Sequence, residues 1–128
     1  MNAVELTALL ARNRFRFRFR DEYELQDGIE LVLKRADVAF EREYLLPPPN
    51  VARHYGTGRI DFFIPASGLG VEVKVGGSLS HLTRQLWRYA EHPLIKELLV
   101  VSSRLSLREL PAVMEGRPVH VFVPRGEL

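Results

Sequence analysis

The chain has 128 residues, 46% of them hydrophobic, so it is long enough to form one domain around a core of its own. It contains no cysteine, which excludes disulfides, cysteine-ligated zinc and thiol nucleophiles. The formal net charge is only +2, but arginines cluster at 12–20, 84–88 and 104–108, a distribution that is compatible with a polyanionic partner.

No apolar run in the sequence approaches the roughly 18 residues that a membrane-spanning helix needs. The start of the chain also lacks the charged-then-apolar layout of a secretory signal. We therefore expect a cytoplasmic protein that does not contact a membrane.

Residues 1–20 are predicted to form a short helix at 3–11 and a strand at 14–19. Phenylalanine and arginine alternate in this strand, so the phenylalanines face inward while Arg16 and Arg18 face outward. The arginines either protect the edge of a sheet or contact the phosphates of a nucleic acid. Both interpretations stay open, and in the second Arg16 and Arg18 bind DNA.

A helix is predicted over 21–36, with Asp21 as its N-cap. Its inward stripe consists of Leu25, Gln26, Ile29, Leu33 and Ala36. At about 100° per residue, Glu22 falls in the middle of this stripe, whereas Glu24 lies on the far side. Glu22 is therefore the acid expected to face inward, although a favourable position in the helix dipole is the alternative explanation.

A strand is predicted at 39–46, with Phe40, Arg42 and Tyr44 on one face. The loop at 50–58 that follows is rich in turn residues, and it is either solvated or in contact with a substrate. The strand begins a three-stranded meander with the two strands that come next.

Two apolar runs, 60–64 and 71–75, are predicted to be adjacent strands joined by a turn rich in proline and glycine. Side chains alternate along a strand, so Glu72 and Lys74 share one face, opposite the valines. The apolar face of the first strand consists of Ile60, Phe62 and Ile64. Asp61 lies on the other side of that strand.

If these strands pair around the turn, Asp61 meets Glu72 and Lys74. Two carboxylates among valine-rich strand positions are costly to bury unless they hold a cation or act on a substrate. The three side chains therefore form a candidate metal site.

A further helix is predicted at 79–92. Gln85 and Tyr89 are one turn apart and lie beside its apolar stripe. Arg84 and Arg88 face outward, where they can contact phosphates.

A buried strand at 97–103 follows this helix, and the strand–helix–strand order implies that it pairs in parallel with the strand at 71–75. A helical piece around 105–114 and a last strand at 119–123 complete the chain.

An aspartate on one strand and Glu-x-Lys on the next, here Asp61, Glu72 and Lys74, resemble the motif of the PD-(D/E)xK nuclease superfamily. Ile60 stands where the family name has proline. Glu22 opens a segment that is similar to the E-x-x-L-Q acid of small resolvase-like and virus-type replication-repair nucleases.

The segment from Gln85 to Tyr89 resembles the QxxxY motif of RecB-type nucleases. The whole resemblance runs from about residue 20 to residue 103, with its motifs in family order. It implies an α/β, restriction-endonuclease-like fold with an αβββαβ core and a mixed central sheet flanked by helices. The chain would form a single domain, with its core at 21–103, the N-terminal helix and strand at 1–20, and a C-terminal helix and strand at 104–128.

The resemblance also implies a metal site. Asp61, Glu72 and the carbonyl of Val73 would hold Mg²⁺ or Mn²⁺. Glu22 would join through water or at a second ion.

The remaining motif residues would act on the substrate. Lys74 would orient the attacking water and stabilise charge on the phosphorane, although a salt bridge with Glu72 is the alternative for this lysine. Gln85 would position the water or a phosphate, and Tyr89 would support Gln85 or the nucleic-acid backbone.

The implied function is that of a Mg²⁺-dependent DNA endonuclease in repair, recombination or phage-type DNA processing, similar to Holliday-junction resolvases. A homodimer would supply two active sites for two strands. The main alternative is a catalytically inactive nucleic-acid-binding or assembly protein on the same fold. A small-molecule enzyme on this scaffold is a third option, but no dinucleotide or phosphate loop is present in the sequence.

Overall fold

The computed structural model describes residues 1–13, 20–47, 58–103 and 109–124 of the chain. These residues form three helices and a six-stranded sheet, so the predicted α/β class is confirmed. The helices are α1 (Ala3–Arg12), α2 (Glu22–Arg35) and α3 (Leu79–Ala90). The strands are β1 (Glu41–Leu45), β2 (Arg59–Ile64), β3 (Leu69–Lys74), β4 (Glu97–Ser102), β5 (Val113–Met114) and β6 (Arg117–Phe122).

Some of the sequence predictions fall outside the described residues. They are the arginine and phenylalanine strand at 14–19, with Arg16 and Arg18, and most of the loop at 50–58.

Polar caps fix where two of the helices begin. The Asp21 side chain accepts a hydrogen bond from the amide of Glu24 at 2.9 Å, as predicted for the start of α2. The Ser78 hydroxyl accepts from the amide of His81 at 3.1 Å and starts α3. Each cap satisfies a backbone amide of the first turn, which has no partner within its own helix.

The strand order of the sheet is β1-β2-β3-β4-β6-β5. β1, β2 and β3 form an antiparallel meander, and β4 pairs in parallel with β3 after α3, as the strand–helix–strand order predicted. β6 is parallel to β4, and the two-residue β5 folds back on β6. The predicted helical piece is thus wrong at Val113–Met114, where a short hairpin with β6 forms instead.

Helices cover both faces of the sheet and enclose two apolar clusters. In the first core, α1 and α2 pack on sheet residues that include Phe62, Ile64 and Val73. In the second core, α3 packs on the opposite face, against Ile60 and Phe63 among others. The result is a three-layer arrangement with the sheet in the middle.

The alternation of side chains between the two faces of the sheet is reversed at one position in β1 and β2. The sequence analysis did not predict this reversal. Ile60 was expected on the same face as Phe62, but Ile60 lies in the second core and Phe62 in the first. The switch occurs at Asp61 and at Glu43 opposite it, which are both missing from the strand register, and Glu43 has φ +51°. A backbone irregularity of this kind reverses strand alternation, and it also explains why Tyr44 packs in the second core.

Arg42 of β1 ties α2 to the sheet. Its guanidinium donates to Asp27 at 2.8 Å, to Glu30 at 2.7 Å and to Gln26 at 3.2 Å. It also lies over the ring of Phe62, 5.8 Å from the ring centroid. This clamp fixes the helix that carries Glu22.

Gly70 of β3 leaves room for Ile60 after the switch of faces. A Cβ at Gly70 would overlap the Cδ1 of Ile60 and lie 3.1 Å from side-chain atoms of Ile95 and Leu98. The position therefore requires glycine because of packing and not because of its backbone angles.

We predict that Gly70→Ala lowers the free energy of unfolding by about 1–3 kcal/mol, because overpacking forces neighbouring side chains to shift. Ile60→Val, which removes the overlapping methyl group, should recover part of this loss in the double variant. Urea unfolding measures both effects. Gly76→Ala is the matched control, since a Cβ there would have no atom within 4 Å; equal stabilities of the Gly70 and Gly76 variants would contradict the packing explanation.

Candidate active site

β2 and β3 separate at Asp61, and two carboxyl groups lie in the gap between them. The register pairs the strands from Ile64 back to Phe62 and goes no further. Beyond that point, the amide of Asp61 donates to Oε1 of Glu72 at 3.3 Å. The amide of Val73 donates to Oδ2 of Asp61 at 2.7 Å. Side-chain oxygens thus take the place of backbone carbonyls, and each strand contributes one acid.

Glu22 reaches the same region from α2. Its Oε1 accepts a hydrogen bond from the amide of Val75, just after β3, at 3.0 Å. Its negative charge contributes to the raised pKa of Asp61. Glu24, in contrast, accepts from the amide and Nε of Arg20 at an exposed position. The two acids of the first turn therefore have different environments, with Glu22 near the carboxyl pair and Glu24 away from it.

Burial dominates the electrostatics of the pair. Glu72 is only 4% exposed, and burial, followed by the charge of Asp61, raises its pKa to about 9. Burial also raises the pKa of Asp61, although the hydrogen bond from Val73 opposes this. A pKa of about 9 means that Glu72 keeps its proton at neutral pH. At neutral pH the pair therefore carries less than its full negative charge.

α3 completes the surroundings of Glu72 from the second core. The Tyr89 hydroxyl donates to the carbonyl of Arg59 at 2.9 Å and lies 3.4 Å from Oε2 of Glu72. Tyr89 is fully buried, and burial, followed by the charge of Glu72, raises its pKa. In this arrangement Tyr89 supports the carboxyl pair and is inaccessible to a nucleic-acid backbone.

Gln85 lies one turn before Tyr89, and its side chain opposes the rise in the pKa of the Tyr89 hydroxyl. Its Oε1 is buried and has no hydrogen-bond partner in the described part of the chain. A buried oxygen without a partner costs about 1–3 kcal/mol. The site therefore contains an acceptor that a donor or a cation can satisfy.

Lys74 lies at the end of β3 and is half-buried. Its positive charge opposes the rise in the pKa of Glu72. Within the described ranges, however, no carboxylate forms an ion pair with the ammonium. The lysine is thus close enough to act on the pair electrostatically without being fixed in a salt bridge with Glu72.

The predicted phosphate contacts on α3, Arg84 and Arg88, are both exposed on the outer side of the helix. Arg59, two residues before Asp61, is exposed as well. These positions leave all three guanidinium groups accessible to a polyanion.

Glu43 is an acidic neighbour of the site that the sequence analysis did not select. It faces Asp61 from β1, and its charge contributes to the raised pKa of that residue. Only the register between β1 and β2 brings the two acids together, so no local motif could have identified it.

The described residues contain no group of three or more histidine, aspartate or glutamate side chains arranged to hold a metal ion. The geometry gives a physical reason, because Glu22, Asp61 and Glu72 each turn an oxygen towards a backbone amide. Their carboxylates therefore lie close to one another without sharing a common centre.

No protein-family model, curated protein or solved structure matches the chain. None of the helices in the described residues is long and apolar enough to cross a membrane.

We predict that the stability of the metal-free protein falls relative to that of Glu72→Gln as the pH rises. The pKa of Glu72 is about 9 in the folded protein and 4.5 in its ordinary state, so the folded chain keeps a proton that the unfolded chain releases between these values. The stabilising contribution of the protonated acid is complete below the lower value and is lost as the pH approaches the upper one.

Urea unfolding from about pH 5 to about pH 9, in the presence of a chelator, tests this prediction. The difference between the wild type and Glu72→Gln should grow with pH, by at most about 1.4 kcal/mol per pH unit for one proton. Glu24→Gln is the control, because it removes an exposed acid outside the carboxyl pair. A difference that is independent of pH would show that the acid is not held in its protonated form.

Proposed function

We propose that this protein is a metal-dependent deoxyribonuclease that hydrolyses phosphodiester bonds on a PD-(D/E)xK-like core. The observation that carries the proposal is the carboxyl pair formed by the half-buried Asp61 and the buried Glu72, with Lys74 beside it and in no ion pair among the described residues. The element order α2–β1–β2–β3–α3–β4 supports it, because this is the αβββαβ order that the sequence resemblance implies. Processing of DNA in repair, recombination or phage replication would be its setting.

The side chains of the gap carry the type of donor atom that a hard divalent cation such as Mg²⁺ or Mn²⁺ prefers, although they would have to turn from their backbone partners to share one ion. Asp61, Glu72 and Glu22 offer carboxylate oxygens, and the buried Oε1 of Gln85 has no partner in the described structure. Oxygen donors of this kind are the ligands that Mg²⁺ prefers. A bound ion would neutralise the carboxylates and polarise a phosphate for attack by water.

Each residue of the site has a role that follows from its position. Asp61 and Glu72 would be the principal ligands, together with the carbonyl of Val73, and Glu22 would act through water or at a second ion. Gln85 would hold a water molecule, since its own oxygen is free to accept, or a phosphate oxygen through its amide NH2 group.

Lys74 would act on the reacting phosphate. An ammonium cannot ligate a cation, but beside the carboxyl pair it can orient the attacking water and stabilise the negative charge that develops in the transition state. Arg84 and Arg88 would bind the backbone of the DNA from the exposed side of α3.

The alternative is a nucleic-acid-binding or assembly protein without catalysis. Such a protein would have no need of ionised acids in the gap, and a neutral amide could satisfy the same backbone donors without the cost of burying a charge. The unpaired lysine next to the pair also favours catalysis over simple neutralisation. A homodimer stays a prediction of the resemblance.

The direct test is an assay of DNA cleavage that compares Mg²⁺, Mn²⁺ and a chelator. Duplex, single-stranded, flap and four-way-junction substrates should be tested separately, because the substrate is set by surface shape. We expect cleavage that depends on the divalent ion and leaves 5′-phosphate and 3′-hydroxyl ends. DNA binding without cleavage on any of these substrates, with either ion, would favour the non-catalytic alternative.

We predict that Asp61→Asn weakens binding of Mn²⁺ by at least tenfold, because it removes a charged ligand and leaves an acceptor for the amide of Val73. Isothermal titration calorimetry on the folded protein measures the affinity. In the wild type, metal binding should also raise the melting temperature by mass action. Glu24→Gln, at the exposed acid of the same helix turn as Glu22, should bind the ion as the wild type does; equal affinities of all three proteins would refute the assignment.

We predict that Lys74→Met lowers single-turnover cleavage by about a hundredfold or more, whereas metal and DNA affinities stay within a few-fold. The methionine keeps an apolar stem of similar length, so the fold should be retained. Lys34→Met is the matched control, since its ammonium pairs with Glu30 on the surface of α2. If folded Lys74→Met cleaves at the wild-type rate, the lysine has no role in the chemical step.

A further inference from the structure

A hollow of about 520 Å³ opens on the same face of the sheet as α3. Its floor contains the rings of Tyr44 and Phe63, which are stacked with centroids 5.1 Å apart and planes 13° from parallel. Its walls are the turn between β2 and β3 and the segment that follows α3. This volume lies within the range of about 300–1,000 Å³ that is usual for ligand pockets.

The walls of the hollow are held in place by the backbone. The amide of Lys96 donates to the carbonyl of Gly68 at 2.8 Å. Gly68 has φ +71°, and a Cβ there would collide with the stem of Lys96. The hollow is therefore a formed feature of the fold.

Its chemistry combines a flat apolar floor with one acceptor and one donor. Phe63 is buried beneath Tyr44, and Tyr44 is only half-buried, so its ring is the accessible one. Glu41 and Lys96 line the hollow, both are exposed, and neither forms an ion pair within the described part of the chain. A planar heterocycle with donors and acceptors on its edge fits this combination, because its ring can stack while its edge pairs with both charges.

An added peptide strand fits less well. β1 is the edge strand of the sheet, but Glu43 in its middle has φ +51° and is missing from the register with β2. Such an irregularity interrupts the row of backbone groups that strand addition requires.

The hollow is close to the candidate active site. Phe63 follows Asp61 by two residues, which is about 7 Å along a strand. Ile60, Phe63 and Tyr89 belong to the same apolar cluster, so the hollow and the α3 side of the carboxyl pair share one layer. A nucleic acid bound at the pair could therefore reach the hollow with a neighbouring nucleotide.

We infer that the hollow binds one unpaired nucleobase of the substrate, stacked on Tyr44 and contacted at its edge by Glu41 and Lys96. This inference rests on the proposed function and specifies it. The substrate would be DNA with a single-stranded segment next to the cleaved bond, such as an overhang, a flap or a loop, rather than uninterrupted duplex.

The test measures binding of two DNA duplexes, one blunt and one with a short overhang that carries 2-aminopurine, in Ca²⁺ in place of Mg²⁺ to suppress cleavage. The wild type should bind the overhang duplex more tightly and quench 2-aminopurine fluorescence by stacking. Tyr44→Leu should weaken overhang binding by about tenfold, which is within the range for loss of a base–aromatic stack, and leave blunt binding unchanged.

Two further variants make the result decisive. Ala66→Trp, at an exposed position on the wall, should fill the hollow and cause the same loss even if Tyr44→Leu does not fold. Tyr23→Leu is the control, because this exposed tyrosine lies on α2, at the other face of the sheet. Selective loss in the hollow variants, with Tyr23→Leu like the wild type, supports the inference.

Equal affinities for the two duplexes, unchanged in both hollow variants, would overturn the inference. Binding of a protein segment in the hollow, without any quenching of 2-aminopurine, would overturn it as well. The proposed function is judged separately, by cleavage in Mg²⁺. If the wild type cleaves DNA without preferring an overhang, the proposed nuclease function stands and the base-binding pocket is refuted. If it binds the overhang duplex more tightly but does not cleave DNA, the base-binding pocket stands and the nuclease function is refuted.

Discussion

The interaction on which the rest of the structure depends is the replacement of a β-ladder by side-chain carboxyl groups between β2 and β3. Asp61 and Glu72 accept hydrogen bonds from backbone amides that would otherwise bond to carbonyls of the neighbouring strand. The backbone donors are therefore satisfied although the ladder has ended. The consequence is a gap between β2 and β3 that contains the half-buried Asp61 and the buried Glu72.

Side chains from both helical layers reach the strands that border this gap. In an uninterrupted sheet, a side chain from α2 and one from α3 would be separated by the thickness of the sheet. Here Glu22 of α2 bonds to the amide that follows β3, and Tyr89 of α3 contacts the carboxyl group of Glu72. The supporting packing is equally specific, because Ile60 enters the second core only where Gly70 leaves space for it.

Local sequence signals predicted most of the elements, since caps and periodicity act within a helix or a strand. The acid that faces the sheet, Glu22, also followed from helical spacing. The change of faces at Asp61 did not, because it depends on Glu43, eighteen positions earlier, and on the register that brings the two together. Likewise, Val113–Met114 forms a strand because it pairs with β6. A local sequence pattern does not show which segment will pair with which.

The energetic cost of the carboxyl pair separates the two interpretations of this fold. A raised pKa means that the folded state is destabilised whenever the acid must ionise, so an apolar or amide side chain would make a more stable gap. An energetic cost of this kind is typical of sites where the ionised side chain binds a ligand or takes part in a reaction. A divalent cation held by Asp61 and Glu72 would reverse the sign of the effect, because its positive charge would lower the pKa of both acids. The feature that weakens the free protein is thus the feature that would make metal binding favourable.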